Sequence, residues 1–224
     1  MKLAPKTIAT PKFSKVSKLD GIRSWSLQAL ETCPASIGAD GELVAACKGC
    51  YATDGNYNFP NVKAPRAHNK EDWKHEDWVQ AMVNELDNDR YFRWFDSGDM
   101  YHIHLAEKIL EIMKLTPWVK HWMPTRMEKF PKFKAVIDEM RSLPNVVVRF
   151  SSDAIDGSFV EGVHGSTIVP YAEDAPEGVT VCEAYANEGK CNGCRECWNK
   201  ETNVIGYIAH GRKMAKQIKL LNIA

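Results

Sequence analysis

Cysteine carries the clearest chemical signal in this sequence. All seven cysteines fall into two groups near the ends of the chain: Cys33, Cys47 and Cys50, then Cys182, Cys191, Cys194 and Cys197. Cysteines kept for packing would be scattered, and disulfides are rare in proteins that are not secreted. We therefore expect both groups to bind metal ions or iron–sulfur clusters through their thiolates.

The second group has the more specific spacing. Cys191, Cys194 and Cys197 form an uninterrupted C-x2-C-x2-C run, and Cys182 precedes this run at a distance. Zinc fingers use C-x2-C pairs that are well separated in sequence, whereas a tandem run with a distant fourth cysteine is typical of ferredoxin-type clusters. We predict a [4Fe–4S] cluster at this group, with zinc as the alternative.

The first group has only three cysteines and cannot complete a four-cysteine site by itself. Either another group supplies the fourth ligand, or one coordination position of the metal centre stays open. Gly49 lies between Cys47 and Cys50. A glycine in such a tight loop lets main-chain N–H groups turn toward a bound sulfide or thiolate.

Composition and charge limit the class of protein. The chain has 224 residues, 44% of them hydrophobic, and its 29 basic and 29 acidic residues balance to a net charge of zero. These values are typical of a globular protein. The neutral charge argues against a protein whose main function is to bind nucleic acid through its phosphates. No apolar run is long enough to cross a bilayer, and the start lacks a secretory signal. We expect a cytoplasmic protein with no membrane partner.

A strand–helix repeat organises the middle of the chain. Apolar strands are predicted over 91–95, 119–126 and 145–150, with amphipathic helices between them over about 103–113 and 132–143. This alternation predicts an α/β fold with a parallel sheet.

Other elements are predicted on either side of this repeat. Before it, we predict an extended arm over residues 1–24, a short strand over 22–27 and one amphipathic helix from Lys70 to Leu86. After it, we predict strands over 164–170 and 204–211 and a basic closing helix over 212–221.

Polar residues follow each of the three central strands: Asp96, Ser97, Gly98 and Asp99; then Thr125 and Arg126; then Ser151, Ser152 and Asp153. Because the carboxyl ends of parallel strands meet at one rim, these residues are expected to share a site there. The alternative is that they cap the helices that follow, a role that suits Asp and Ser.

These motifs occur together in an order that resembles a known family. The motifs are Cys33-Pro34, Cys47-x2-Cys50-Tyr51-Ala52, Arg93-x2-Asp96-Ser97-Gly98-Asp99, Thr125-Arg126, Phe150-Ser151-x-Asp153 and the last cysteine group. Over about Trp25 to His210 the chain resembles the phage-encoded gene product 88 family. That family itself looks like a short relative of the radical S-adenosylmethionine (radical SAM) fold.

The resemblance implies a partial parallel (β/α) barrel of radical SAM type with a C-terminal cysteine-rich cluster-binding region. Residues 1–175 would form the arm and barrel, and 176–224 the cysteine-rich region with its closing strand and helix, integral to the same domain. The first three cysteines would hold a [4Fe–4S] cluster and leave one iron free for S-adenosylmethionine. The residues implied to bind that cofactor are Tyr51, Ser97, Gly98, Asp99, Thr125, Arg126, Ser151 and Asp153. Radical SAM proteins usually carry an aromatic residue just before the last cysteine; Gly49 stands there in this chain, and Tyr51 is the candidate replacement.

Two functions from different classes follow. The first is a phage-type iron–sulfur enzyme with one or two clusters that cleaves S-adenosylmethionine to start radical chemistry on an unknown substrate, with reduction by an electron donor. The alternative is a non-catalytic iron–sulfur or zinc accessory protein that acts on a host or nucleic-acid partner. The basic closing helix supports this alternative, but the neutral overall charge does not favour nucleic-acid binding. If the chain is phage-encoded, its compartment is the host cytoplasm.

Overall fold

The computed structural model of the protein describes residues 6–221. The first five residues of the predicted arm and residues 222–224 of the predicted cysteine-rich region lie outside the described residues. The described strands are β1 (Phe13–Lys15), β2 (Arg23–Trp25), β3 (Tyr91–Trp94), β4 (Lys120–Thr125), β5 (Val146–Ser151), β6 (Gly165–Val169), β7 (Val179–Val181) and β8 (Val204–Ile208). The described α-helices are α1 (Ala45–Lys48), α2 (Pro60–Asp72), α3 (Trp78–Glu85), α4 (Ile103–Leu115), α5 (Pro131–Ser142) and α6 (Arg212–Leu221).

All eight strands lie in one sheet with the order β1-β2-β3-β4-β5-β6-β8-β7. The pairing is antiparallel between β1 and β2 and parallel between all other neighbours. The prediction of an α/β fold with a largely parallel sheet is therefore confirmed. The radical SAM form of the barrel and the division of the chain at residue 175 stay predictions, and β7 and β8 continue the same sheet as the earlier strands.

The two faces of the sheet are covered by different parts of the chain. Phe92, Trp94, Met123, Val146 and Val148 share a buried core with side chains of α3, α4 and α5. Because side chains alternate along a strand, the residues between them point to the opposite face. There the loop of the second cysteine group covers the sheet. The Trp122 ring lies 5.1 Å from the ring of Trp198, next to Cys197.

The prediction of one helix from Lys70 to Leu86 is wrong. The structure ends α2 at Asp72, turns, and begins α3 at Trp78. Trp73 and Trp78 are both buried. Five residues turn an α-helix well past one full turn, so the two indoles would point in different directions on a continuous helix. The break allows both to enter the core.

The described part of the arm is extended and is held through its main chain. The carboxylate of Asp77 accepts from the N–H of Ala9 at 3.2 Å, and that of Asp72 accepts from the N–H of Thr10 at 2.8 Å. Asn69 bonds both the N–H and the carbonyl of Lys12, each at 2.9 Å. The arm thus leads into β1 at the edge of the sheet. In the described chain, no helix is both long and apolar enough to cross a membrane.

His121 lies on the helix-covered face of β4 with no exposed surface. Its Nδ1 accepts from Trp94 Nε1 at 3.3 Å, and its Nε2 is 2.9 Å from the Thr116 hydroxyl, which itself donates to the Ile112 carbonyl. These partners fit a neutral ring, because protonating Nδ1 would set two N–H groups against each other. Burial lowers the pKa of His121 to about 3.

This burial makes stability depend on pH. The unfolded chain takes up the proton near pH ~6.5, so the contribution of His121 is present above that pH and is lost as the pH falls toward the folded-state pKa. Between pH 6.5 and 4, metal-free protein should lose up to about 1.4 kcal/mol of unfolding free energy per pH unit from this group. Denaturant unfolding of His121→Gln should show a flatter dependence. The exposed His104, changed in the same way, is the control, and equal slopes for all three proteins would refute the prediction.

Candidate functional site

Both cysteine groups open onto one cavity. The cavity has a volume of about 460 Å³ and is lined by six of the seven cysteines: Cys33, Cys47, Cys50, Cys182, Cys191 and Cys197. Cys194 is exposed. The sequence places the two groups at opposite ends of the chain, so it is the fold that brings them to a common space. None of the seven thiols is in a disulfide.

The first cysteine group lies in two short loops beside the sheet. Cys33 begins a 3-10 turn, and its N–H donates to the Leu30 carbonyl at 3.2 Å. Cys47 is in α1, and the N–H of Cys50 donates to its carbonyl at 3.2 Å. Burial raises the pKa of Cys33 to about 12, with further contributions from Asp99, Cys47 and Cys50. The metal-free thiol is therefore neutral at pH 7, and the three sulfurs are close enough to interact electrostatically.

Helix α6 closes over this loop at Gly49. A Cβ on Gly49 would lie 2.6 Å from Met214 Cε and 3.0 Å from Met214 Cα. Lys213 of the same helix donates to the hydroxyl of Thr53 at 2.7 Å. Position 49, where the resemblance predicts an aromatic residue, therefore has room only for glycine in this chain. The predicted closing helix has a packing role at the first cysteine group.

The second cysteine group is fixed by the arm and by the sheet. Main-chain bonds of 2.8 Å join Cys191 N–H to the Lys18 carbonyl and Cys182 N–H to the Gly206 carbonyl. The Asp20 carboxylate accepts from the N–H of Gly193 at 3.0 Å. Burial raises the pKa of Cys191 to about 11, and Cys182, Cys197 and Cys194 raise it further. The other three thiols of this group thus lie near enough to Cys191 to raise its pKa.

The thiol donors of the two cysteine groups suit some metal centres and not others. Within residues 6–221, no three or more His, Cys, Asp or Glu side chains converge as a single metal ion requires. A four-iron cluster spaces its thiolates more widely, because each sulfur binds a different iron. Both cysteine groups offer thiolates, and thiolates are the ligands that such clusters require. A preformed single-ion zinc site is not seen in the described part of the chain.

Asp99 organises the polar rim beside the first cysteine group. Its buried carboxylate accepts from the Thr125 hydroxyl at 2.7 Å, from Arg126 N–H at 3.0 Å and from Met100 N–H at 2.8 Å. Burial raises the pKa of Asp99, and the bonds from Arg126, Thr125 and Met100 oppose the rise. A carboxylate has about four acceptor positions. Three are used here, so one remains for a ligand.

The other predicted cofactor-binding residues also gather at the cavity. Tyr51, Ser97, Gly98, Asp99, Thr125, Arg126 and Ser151 line it, whereas Asp153 is not part of the lining. Asp153 instead contacts Arg126 Nε at 3.2 Å and the Lys129 ammonium. Ser97 donates its hydroxyl to the Leu27 carbonyl at 2.6 Å. Several of these side chains are therefore bonded to the scaffold, and their roles toward a cofactor stay predictions.

The residues after the strands do not cap α4 or α5. The N-cap residue of α4 is His102, whose ring accepts from the N–H of His104 at 3.2 Å. The N-cap of α5 is Phe130, which makes no side-chain capping bond. The capping alternative is therefore wrong at these two helices, although the Thr125 hydroxyl accepts from the N–H of Met127, where a 3-10 turn begins, at 3.0 Å. The shared site at the rim stays a prediction.

Sequence reasoning missed a half-buried polar network around Asp96. Its carboxylate accepts from Arg93 at 2.9 Å and from the Tyr57 hydroxyl at 2.6 Å, and Arg66 lies 3.6 Å away. The Tyr51 hydroxyl donates to the Asp96 carbonyl at 2.8 Å. Arg93 could have been found from the sequence, because it is a charged residue within the aromatic strand β3. Tyr57 and Arg66 lie in a region without periodicity and gave none.

Arg93 and Tyr207 connect this network with the second cysteine group. The Arg93 guanidinium lies 4.7 Å from the centre of the Trp122 ring. The Tyr207 hydroxyl is 3.3 Å from the Cys197 sulfur, and burial raises the pKa of this tyrosine well above its usual value. All four residues line the same cavity. The wall between the two cysteine groups is therefore aromatic and cationic.

The fold and the site define a mixed α/β protein in which a largely parallel sheet carries a cysteine-lined cavity. The family model described as Gene product 88 matches residues 3–218, so the chain belongs to this family of phage gene products. No curated protein and no solved structure matches the chain.

Proposed function

We propose that this protein is an iron–sulfur enzyme of radical SAM type, with a [4Fe–4S] cluster at Cys33, Cys47 and Cys50 and a second cluster at the C-terminal cysteines. The observation that carries the proposal is the single cavity onto which both cysteine groups open, with seven of the eight candidate cofactor-binding residues in its wall. Its volume of about 460 Å³ lies within the range of small-molecule sites, roughly 300 to 1,000 Å³.

The division of ligands supports different roles for the two centres. Three thiolates at the first group leave one iron of a four-iron cluster free, and four thiolates at the second group complete their cluster. A cluster held by Cys33, Cys47 and Cys50 and reduced by an external electron donor would supply the electron for cleavage of S-adenosylmethionine. The chain would bind and orient the cofactor and exclude water from the cavity. The remaining acceptor position of Asp99 would suit an ammonium group of the cofactor.

The proposal predicts that anaerobically prepared protein, supplied with dithionite and S-adenosylmethionine, releases 5′-deoxyadenosine. The control is Cys47→Ala, because Cys47 is a proposed ligand of the cluster that does the cleavage. Chromatography of the quenched reaction measures the product. Iron-loaded protein that releases no more 5′-deoxyadenosine than Cys47→Ala would remove the enzymatic part of the proposal and leave an iron–sulfur protein.

The accessory-protein alternative is supported by helix α6. The side chains of Arg212, Lys213, Lys216 and Lys219 are exposed. Such cations are most often a solvated surface, and the net charge of the chain is zero. A gel shift with duplex DNA and single-stranded RNA separates the cases. Salt-sensitive binding that disappears in Lys216→Glu/Lys219→Glu would support a nucleic-acid partner, and no shift at low salt would eliminate it.

A further inference from the structure

Arg149 is a fully buried cation beneath the second cysteine group. It lies in β5 and has no exposed surface. Its guanidinium donates to the main-chain carbonyls of Glu196, Cys197, Asn199, Thr202 and Asn203 at distances between 2.9 and 3.1 Å. A sixth, longer contact of 3.5 Å reaches the Gly165 carbonyl. One side chain therefore holds most of the segment from 196 to 203.

The acceptors of Arg149 are unusual for this chain. Seven other arginines each contact a carboxylate: Arg23, Arg66, Arg93, Arg126, Arg141, Arg195 and Arg212. The acceptors of Arg149 are all carbonyl oxygens, which satisfy its N–H groups but do not neutralise its charge. Burying a charge without a counter-charge is costly. The fold thus contains a buried positive charge whose compensation is missing from its own hydrogen bonds.

Two nearby groups can oppose this charge: the half-buried carboxylate of Glu196 and the second cysteine group. Arg149 Nε bonds the main chain of Cys197 itself, and Arg93, from the same face of the sheet, lies against Trp122 beside that cysteine. With four neutral thiols, the charge would be opposed by the half-buried Glu196 carboxylate but not by the cysteines. Four thiolates around a divalent ion or a [4Fe–4S]²⁺ core carry about two negative charges in total.

We propose that Arg149 is a positioning residue that makes the C-terminal cysteines a site for a net-negative, four-thiolate metal centre and disfavours their empty state. Two effects act together. The carbonyl bonds fix the loop that carries Cys194 and Cys197, and the buried charge stabilises the centre only when its sulfurs are thiolates. This inference rests on the part of the proposed function that makes these cysteines metal ligands. It does not depend on the cofactor chemistry at the first group.

Cobalt(II) is a suitable probe, because its four-thiolate complexes have characteristic visible absorption. Since no single-ion site is preformed among the described residues, cobalt binding reports how readily the four cysteines close on a metal. Full-length, metal-free chain would be titrated anaerobically as wild type, Arg149→Gln and Arg149→Lys. The control is Arg141→Gln, because the guanidinium of Arg141, on α5, pairs with the carboxylate of Glu128. The substitution leaves the main-chain carbonyl of Arg141, which accepts from Lys200, unchanged. Residues that support metal ligands typically change affinity about 10- to 100-fold. We expect a loss of that size in the Gln variant, a loss of less than about threefold in the Lys variant, which keeps the charge, and none in the control.

The Lys variant separates charge from scaffolding. Lysine has three donors and cannot reproduce the carbonyl bonds, so a purely structural Arg149 would make both variants lose affinity equally. Equal losses, or an unchanged Gln variant, would overturn the inference. If the Gln variant does not fold, the Lys variant decides alone, because a tenfold loss in it contradicts the charge role. If the chain binds cobalt as expected but never carries iron, the proposed function is refuted and this inference still holds.

Discussion

The Cys33→Ala protein is expected to lose about half of its iron and all of its S-adenosylmethionine cleavage, while it keeps its fold. Cys33 lies in the cavity wall, and its thiol interacts with those of Cys47 and Cys50. Alanine is preferred to serine because it offers no oxygen to the metal. Iron and sulfide quantitation under nitrogen, with circular dichroism to check the fold, measures the effect.

The matched variant is Cys194→Ala at the other group. It should lose the other half of the iron and retain the spectroscopic signature of the first cluster. Because Cys33 and Cys194 belong to separate groups, the two losses should add in the double variant. A common loss, in which either change removes all the iron, would show one shared centre instead of two.

Gly98→Ala is expected to destabilise the protein by about 3 kcal/mol and to disturb the site. Gly98 has a φ of +78°, and a Cβ there would lie 2.6 Å from Leu27 Cβ, 2.7 Å from Thr32 Oγ1 and 3.0 Å from the Leu27 carbonyl carbon. The contact with Leu27 involves main chain, so it cannot be relieved by a side-chain rotation. The neighbouring Asp99 N–H donates to the Thr32 carbonyl at 3.1 Å and would move with it.

Gly41 provides the matched control for this substitution. Its φ is +80°, but a Cβ on it would meet no atom within 4 Å. Gly41→Ala should therefore cost only the backbone term, about 1 kcal/mol. Denaturant unfolding of both metal-free variants measures the difference. Equal destabilisation would show that the close packing of Gly98 against Leu27 and Thr32 does not matter.

The central repeat could be predicted from the sequence because its periodicity is strong. The predicted strands and helices between Tyr91 and Phe150 agree with the structure to within two residues at most ends. Strands β1 and β7 have three residues each, which is too short for alternation to be visible. Helix α2 was missed because it has no apolar stripe, and the contacts of Asn69 and Asp72 with the arm hold it in place.

The cysteine spacing suggested two metal centres, but not that they share a cavity. That arrangement depends on Trp198 packing against Trp122 and on Arg149 bonding the loop carbonyls. Both contacts join segments far apart in sequence, and neither follows a local pattern. The network of Arg93, Tyr57 and Asp96 was missed for the same reason. Long-range polar contacts are set by the tertiary fold and not by residue type or spacing.

The central claim is that thiolates from both ends of the chain hold iron and inorganic sulfide at one cavity. The most direct measurement is the iron and acid-labile sulfide content of full-length protein purified under nitrogen, together with its visible absorption. We predict a brown protein with about eight iron and eight sulfide per chain. A colourless preparation with less than about one iron per chain after anaerobic reconstitution would contradict it.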